Sequence, residues 1–112
     1  MNKGLIDRYI TLPMAINVFK KDQERFKKFK MRGLYLDLLD AAIDKASQDF
    51  YELKGKLISE NHLDVKKIGR LQYSVNGDMI EYTAGELKEL TSQLMSEYLL
   101  KVKFERKERM RE

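Results

Sequence analysis

Cysteine and tryptophan are absent from this chain, and proline and histidine occur once each, as Pro13 and His62. Without cysteine there can be no disulfide, no thiolate nucleophile and no thiolate metal ligand. That is compatible with a reducing cytoplasm, which is the compartment the sequence leads us to expect. Long apolar runs are also missing. No window approaches the roughly 18 apolar residues that span a bilayer, so no membrane partner is expected. The opening residues MNKGLIDRYI carry one early lysine and lack the apolar stretch of a secretory signal.

Catalytic signatures are equally scarce. The nucleophile patterns GxSxG and SxxK do not occur, and neither do the phosphate-cradling patterns GxxxxGK[ST] and GxGxxG. The single histidine sits beside Asn61 in a polar stretch, where a surface or capping role is a better reading than a general base. Asp37, Asp40 and Asp44 fall on one side of a helical segment, but hard cations draw oxygen ligands from more than one element, and the calcium-loop spacing is missing. The expectation is a protein that is not an enzyme and that needs no metal, no cofactor and no small-molecule substrate.

What the chain has in quantity is charge and helical patterning. Its 112 residues carry a net charge of +4, unevenly spread. Residues 20–32 hold seven basic and two acidic side chains, residues 33–100 hold seven and twelve, and residues 101–112 hold six and three. Two basic segments therefore flank an acidic middle. The length fits a single domain over 1–112.

The central pattern is a seven-residue repeat. Leu36, Leu39, Ile43, Ala46, Phe50, Leu53 and Leu57 occupy every a and d position of three heptads, and a helix with such a seam needs another helix against it. The partner is either the rest of this chain or a second copy. Asp40 and Asp49 precede Lys54 and Lys56 in the e and g columns, a charge order that suits an antiparallel homodimer. Gly55 falls inside this helix at an outward position, where it costs about 1 kcal/mol relative to alanine. If Phe50 is a core residue, its replacement by alanine should cost about 3–5 kcal/mol.

The remaining elements follow from caps and periods. Residues 1–10 read as an N-terminal arm or a single helical turn. Thr11 reads as an N-cap with Pro13 in the first turn, opening a helix over 12–30. The seam helix covers 34–59 after a break at Gly33. Residues 60–67 read as a polar connection. The period then changes from 3.6 to 2, and Asn76-Gly77 marks a type I′ hairpin over 68–83. Its two-residue loop pairs Val75 with Asp78, Tyr73 with Ile80 and Leu71 with Tyr82, placing those apolar residues on one face. Thr83-Ala84-Gly85-Glu86 is a capping box opening a helix over 84–108 with a basic tail. The fold class is thus α+β, predominantly helical, in the order α-α-β-β-α.

Two functional expectations follow. The first is a small interaction or regulatory factor, of the kind a phage or mobile element encodes, that binds another protein through an exposed helix face or the outer edge of the hairpin. The second is a nucleic-acid-binding accessory protein. For this, Lys21, Arg25, Lys28 and Arg32 line one side of the first helix, with Lys20 and Lys27 beside them and Arg106, Lys107, Arg109 and Arg111 at the far end of the chain. Such a stripe can follow a phosphate backbone. Phe26 and Phe29 belong to the opposite side, so aromatic stacking platforms are not presented with the charges. A solvated face, or pairing with the acidic flank of the next helix, would account for the same pattern.

Overall fold

Apolar residues on one side of each helix, and on one side of a small sheet, meet in two adjoining cores. A computed structural model describes residues 3–27 and 32–109, the side chains of Phe26, Arg32, Leu34, Tyr35 and residues 101–109 excepted. The elements in chain order are α1 (Lys3–Phe26), α2 (Arg32–Ser59), β1 (Val65–Lys67), β2 (Gln72–Val75), β3 (Asp78–Glu81) and α3 (Ala84–Arg109). The fold is α+β and mostly helical, with a three-stranded antiparallel sheet between the second and third helices.

Helix α1 is longer than its sequence pattern implies. It begins at Lys3, so the segment read as an arm is helical. Thr11 is not an N-cap. It lies inside the helix, buried, and its hydroxyl donates to the carbonyl of Asp7 four residues back (2.7 Å). Ile6 and Ile10 stand one turn apart and are both buried, and the side chains of Lys3 and Asp7 pair on the same turn at 2.7 Å. Burial against the sheet supplies the free energy that lets the helix run through Pro13, which lacks the N–H to bond the Tyr9 carbonyl.

α1 and α2 run antiparallel. Tyr9 stacks on Phe50 near one end, and Gln23 meets Asp40 near the other. The larger core lies among the three helices: Leu12, Ala15 and Phe19 from α1, Leu39, Ala42, Ala46, Leu53 and Leu57 from α2, Leu94 and Tyr98 from α3. Four of the seven seam residues are thus buried inside this chain, while Leu36, Ile43 and Phe50 are half-buried. α2 runs unbroken past Gly55 to Ser59.

The second core lies between the sheet and the N-terminal half of α1, and contains Ile6, Ile10, Tyr73, Val75, Tyr82 and Leu87. Leu63, just past α2, packs on both cores. The hairpin has the register expected from its turn, Val75 opposite Asp78 and Tyr73 opposite Ile80. Asn76 and Gly77 take φ of 52° and 91°, the left-handed values a type I′ turn requires. The capping box forms in both directions: Thr83 N–H donates to Glu86 Oε1 (2.9 Å) and Glu86 N–H to Thr83 Oγ1 (3.0 Å).

The polar connection contains a strand that periodicity did not reveal. β1 pairs antiparallel with β2, Val65 opposite Val75 and Lys67 opposite Tyr73, so β2 is central. Of its three residues only Val65 is apolar, too little for an alternating signal. Asn76 ties it in place. Its N–H donates to the Asp64 carbonyl (3.0 Å), its Oδ1 accepts from the Asp64 N–H (2.8 Å), and its Nδ2 donates to the His62 carbonyl (3.1 Å). His62 itself has φ of 52° and turns the chain out of α2.

Candidate functional site

The described surface has one place where an open strand edge, aromatic side chains and unpaired cations converge. Tyr9, Pro13, Met14 and Asn17 recur along one side of α1. Phe50 and Lys54 approach from α2, and Val65 and Lys67 from β1. With Ile10 and Tyr73, all of these but Lys54 line a cavity of about 330 Å³, and Lys54 lines an adjoining one of about 120 Å³ with Leu57, Ile58, Leu63 and Asp64. Tyr9 and Val65 belong to both. The Tyr9 ring stacks on Phe50 at 5.2 Å and 16°, and Tyr51 meets Phe50 edge-on while standing 71% exposed.

The hydrogen-bond pattern shows which way the backbone of β1 faces. Asp64 bonds to Asn76, and the Ile68 N–H donates to the Gln72 carbonyl at 2.9 Å. Even-numbered residues of this segment therefore turn their N–H and C=O groups towards β2. By the alternation of an antiparallel ladder, Val65 and Lys67 turn theirs outwards. Their side chains face the cavity.

A second group of polar residues ties the helices together. The buried Tyr98 hydroxyl accepts from Arg8 Nη2 (2.9 Å) and donates to Asp49 Oδ2. Arg8 Nη1 also reaches Glu97 (3.2 Å), and Lys45 stands 3.8 Å from Asp49. Burial, then the hydrogen bond to Asp49, pushes the Tyr98 hydroxyl well above the usual tyrosine range. Burial acts to lower the Arg8 guanidinium, but Tyr98, Glu97 and Asp49 outweigh it and hold it above its ordinary value. Tyr82 is arranged similarly: it donates to Asp7, Lys3 Nζ lies 4.4 Å from its ring centre, and burial with that hydrogen bond raises it too. Burial alone raises Tyr73. Arg8, Asp49 and Tyr98 are too far apart in the sequence for any spacing rule to join them.

The basic stripe is only partly described. Lys20 and Lys21 are exposed and have no carboxylate partner among the described residues. Arg25 is 80% exposed and 3.8 Å from Asp22, and Lys27 pairs with Glu24 at 2.9 Å. Lys28 lies outside the described residues, as do the side chains of Arg32, Arg106, Lys107 and Arg109 and the whole of Arg111. Arg25 and Lys27 thus stand beside carboxylates of their own helix, and on α2 Asp40 accepts from the Gln23 amide. Among the described residues, no three side chains of metal-ligating type come together, so Asp37, Asp40 and Asp44 do not form a cage. His62 is exposed just past the end of α2 and lines neither cavity.

Fold and surface together define a small, mostly helical α+β protein with a groove beside a free strand edge. No helix among the described residues is long and apolar enough to cross a membrane. The chain belongs to the family described as YhjD protein, whose model matches residues 2–103. No curated protein and no solved structure matches it.

Proposed function

We propose that this chain is a non-enzymatic factor of the cytoplasm that acts by binding another protein at the face formed by α1, α2 and β1. The observation that supports this most is the coincidence of the outward-facing Val65 and Lys67 backbone with the Tyr9–Phe50 groove. A strand edge is left with unpaired donors and acceptors beside half-buried aromatic rings, the combination that protein-recognition surfaces use. Tyr51 and Ile58, 71% and 61% exposed, extend the apolar surface along α2. The test is affinity capture from native-host lysate, with and without nuclease, using the wild-type chain and Tyr51→Asp/Ile58→Asp as baits. A defined protein that survives nuclease and is lost with the double variant supports the reading. Equal retention by both baits moves the interface elsewhere.

Binding of nucleic acid through α1 is the second reading, favoured by the unpaired Lys20 and Lys21 beside Arg25 and Lys27. Contacts of this kind depend steeply on salt. Under this reading Lys20→Glu/Lys21→Glu/Arg25→Glu elutes from a heparin or DNA column at clearly lower salt than wild type. Unchanged elution removes it.

A further inference from the structure

The edge of β1 carries more information than its exposure. Residues 54–70 hold five basic side chains (Lys54, Lys56, Lys66, Lys67, Arg70) against two acidic ones, Glu60 and Asp64. Lys66 is 3.4 Å from Asp64, whereas Lys67 and Lys54, which line the larger and the smaller cavity, have no carboxylate partner among the described residues. Lysines on an edge oppose pairing with an identical edge, because two copies would set Lys66 and Lys67 against each other. The same charges attract a strand of opposite sign. Backbone groups of Val65 and Lys67 point towards where such a strand would lie. On its inner side that strand would meet the Tyr9 and Phe50 rings.

We propose that β1 is the docking edge for an extended, acidic segment of a partner protein, added to the sheet as a fourth strand. The segment's backbone pairs with the outward N–H and C=O groups of Val65 and Lys67. Its alternate apolar side chains enter the groove beside Tyr9 and Phe50, and its carboxylates meet Lys67 and Lys54. Main-chain pairing supplies affinity, and the groove and the charges supply selectivity, as in other strand additions. This inference rests on the reading that the chain binds protein, and it specifies the mode and the chemistry of the partner.

The probe is a fluorescein-labelled, acetylated peptide of alternating glutamate and valine, titrated against the full chain by anisotropy, with an alternating lysine–valine peptide as counterpart. The acidic peptide should bind saturably and perturb the amide resonances of Val65 and Lys67, while the basic peptide should not bind. Lys67→Ala removes the charge and keeps the outward N–H. Lys67→Pro removes both without touching the ladder to β2. Lys67→Pro should therefore weaken binding about tenfold beyond Lys67→Ala, with the circular dichroism of both variants unchanged. Lys54→Glu, remote from the edge hydrogen bonds, should weaken it without altering the fold. Equal affinity of the two Lys67 variants overturns strand pairing, and equal binding of both peptides overturns the charge complementarity. A dimer by light scattering that Lys67→Pro abolishes makes a second copy the occupant and overturns the acidic partner. No binding of the acidic peptide at about 1 mM overturns strand addition, while a partner captured from lysate through Tyr51 and Ile58 would still stand.

Discussion

At the residue scale, Asn76 does two separable things. It adopts the left-handed conformation of the turn, and its side chain holds the chain on either side of Leu63 through Asp64 and His62. Asn76→Gly keeps the conformation and loses the clamp; Asn76→Ala loses both. In urea unfolding the expected loss is about 1 kcal/mol for glycine and about 2–3 kcal/mol for alanine. Equal losses would mean that the side-chain bonds contribute little. Tyr98 joins α1, α2 and α3 through a single hydroxyl. Tyr98→Phe leaves Arg8 and Asp49 short of a partner and should cost about 1–3 kcal/mol. Its pH signature is distinct. The folded-state pKa values of Tyr98 and Tyr82 lie above the unfolded value of about 10. The folded chain thus holds protons that the unfolded chain releases above that pH. Their contribution is complete below about pH 10 and is lost as the pH climbs towards the folded values. Stability measured from pH 8 to 11 should fall above pH 10 more steeply for wild type than for Tyr98→Phe/Tyr82→Phe.

At the element scale, α2 carries a residue whose cost is visible. Gly55 is exposed in the helix, and a Cβ built there meets nothing within 4 Å. Gly55→Ala should stabilise the chain by about 1 kcal/mol, seen as a higher urea midpoint at unchanged m-value. The hairpin and the capping box were legible because each is local: Asn76-Gly77 sets the turn conformation, and Thr83 with Glu86 satisfies two N–H groups three residues apart. The start of α1 was not legible. Thr11 and Pro13 resemble a helix opening, and the burial of Ile6 and Ile10 that overrides them depends on a sheet some 65 residues later.

At the scale of the whole molecule, two phenylalanines take different places in the packing. Phe19 is fully buried among the helices, and Phe19→Ala should cost about 3–5 kcal/mol in thermal or urea unfolding. Phe50, placed at the heart of the heptad seam, is only half-buried and stacks on Tyr9 beside the groove. Its loss should cost about 1–3 kcal/mol, less than the 3–5 kcal/mol of a full core residue, and should weaken partner capture as well. A Phe50→Ala cost equal to that of Phe19→Ala would place its ring in the core. The seam is consumed in this packing, because Leu39, Ala46, Leu53 and Leu57 are buried against the chain's own helices. What the core leaves open includes the edge of β1 and the outer side of α2, the surfaces on which the proposed recognition rests.

Local chemistry was enough to define the helix seam, the hairpin register, the faces of its strands and the cap of α3, since each depends on residues within a few positions of one another. Composition was enough to leave the chain without thiol chemistry and without a bilayer-length apolar run. Tertiary structure decided three things. It extended α1 back to Lys3, because only the assembled sheet offers Ile6 and Ile10 a surface to cover. It made a strand of Val65–Lys67, because the polar pattern there carries no period and the pairing energy comes from β2 and Asn76. And it brought Arg8, Asp49 and Tyr98 together across the three helices, and Tyr9, Phe50 and Lys67 around one groove, since proximity between residues dozens of positions apart is a property of the packed chain and of no segment within it.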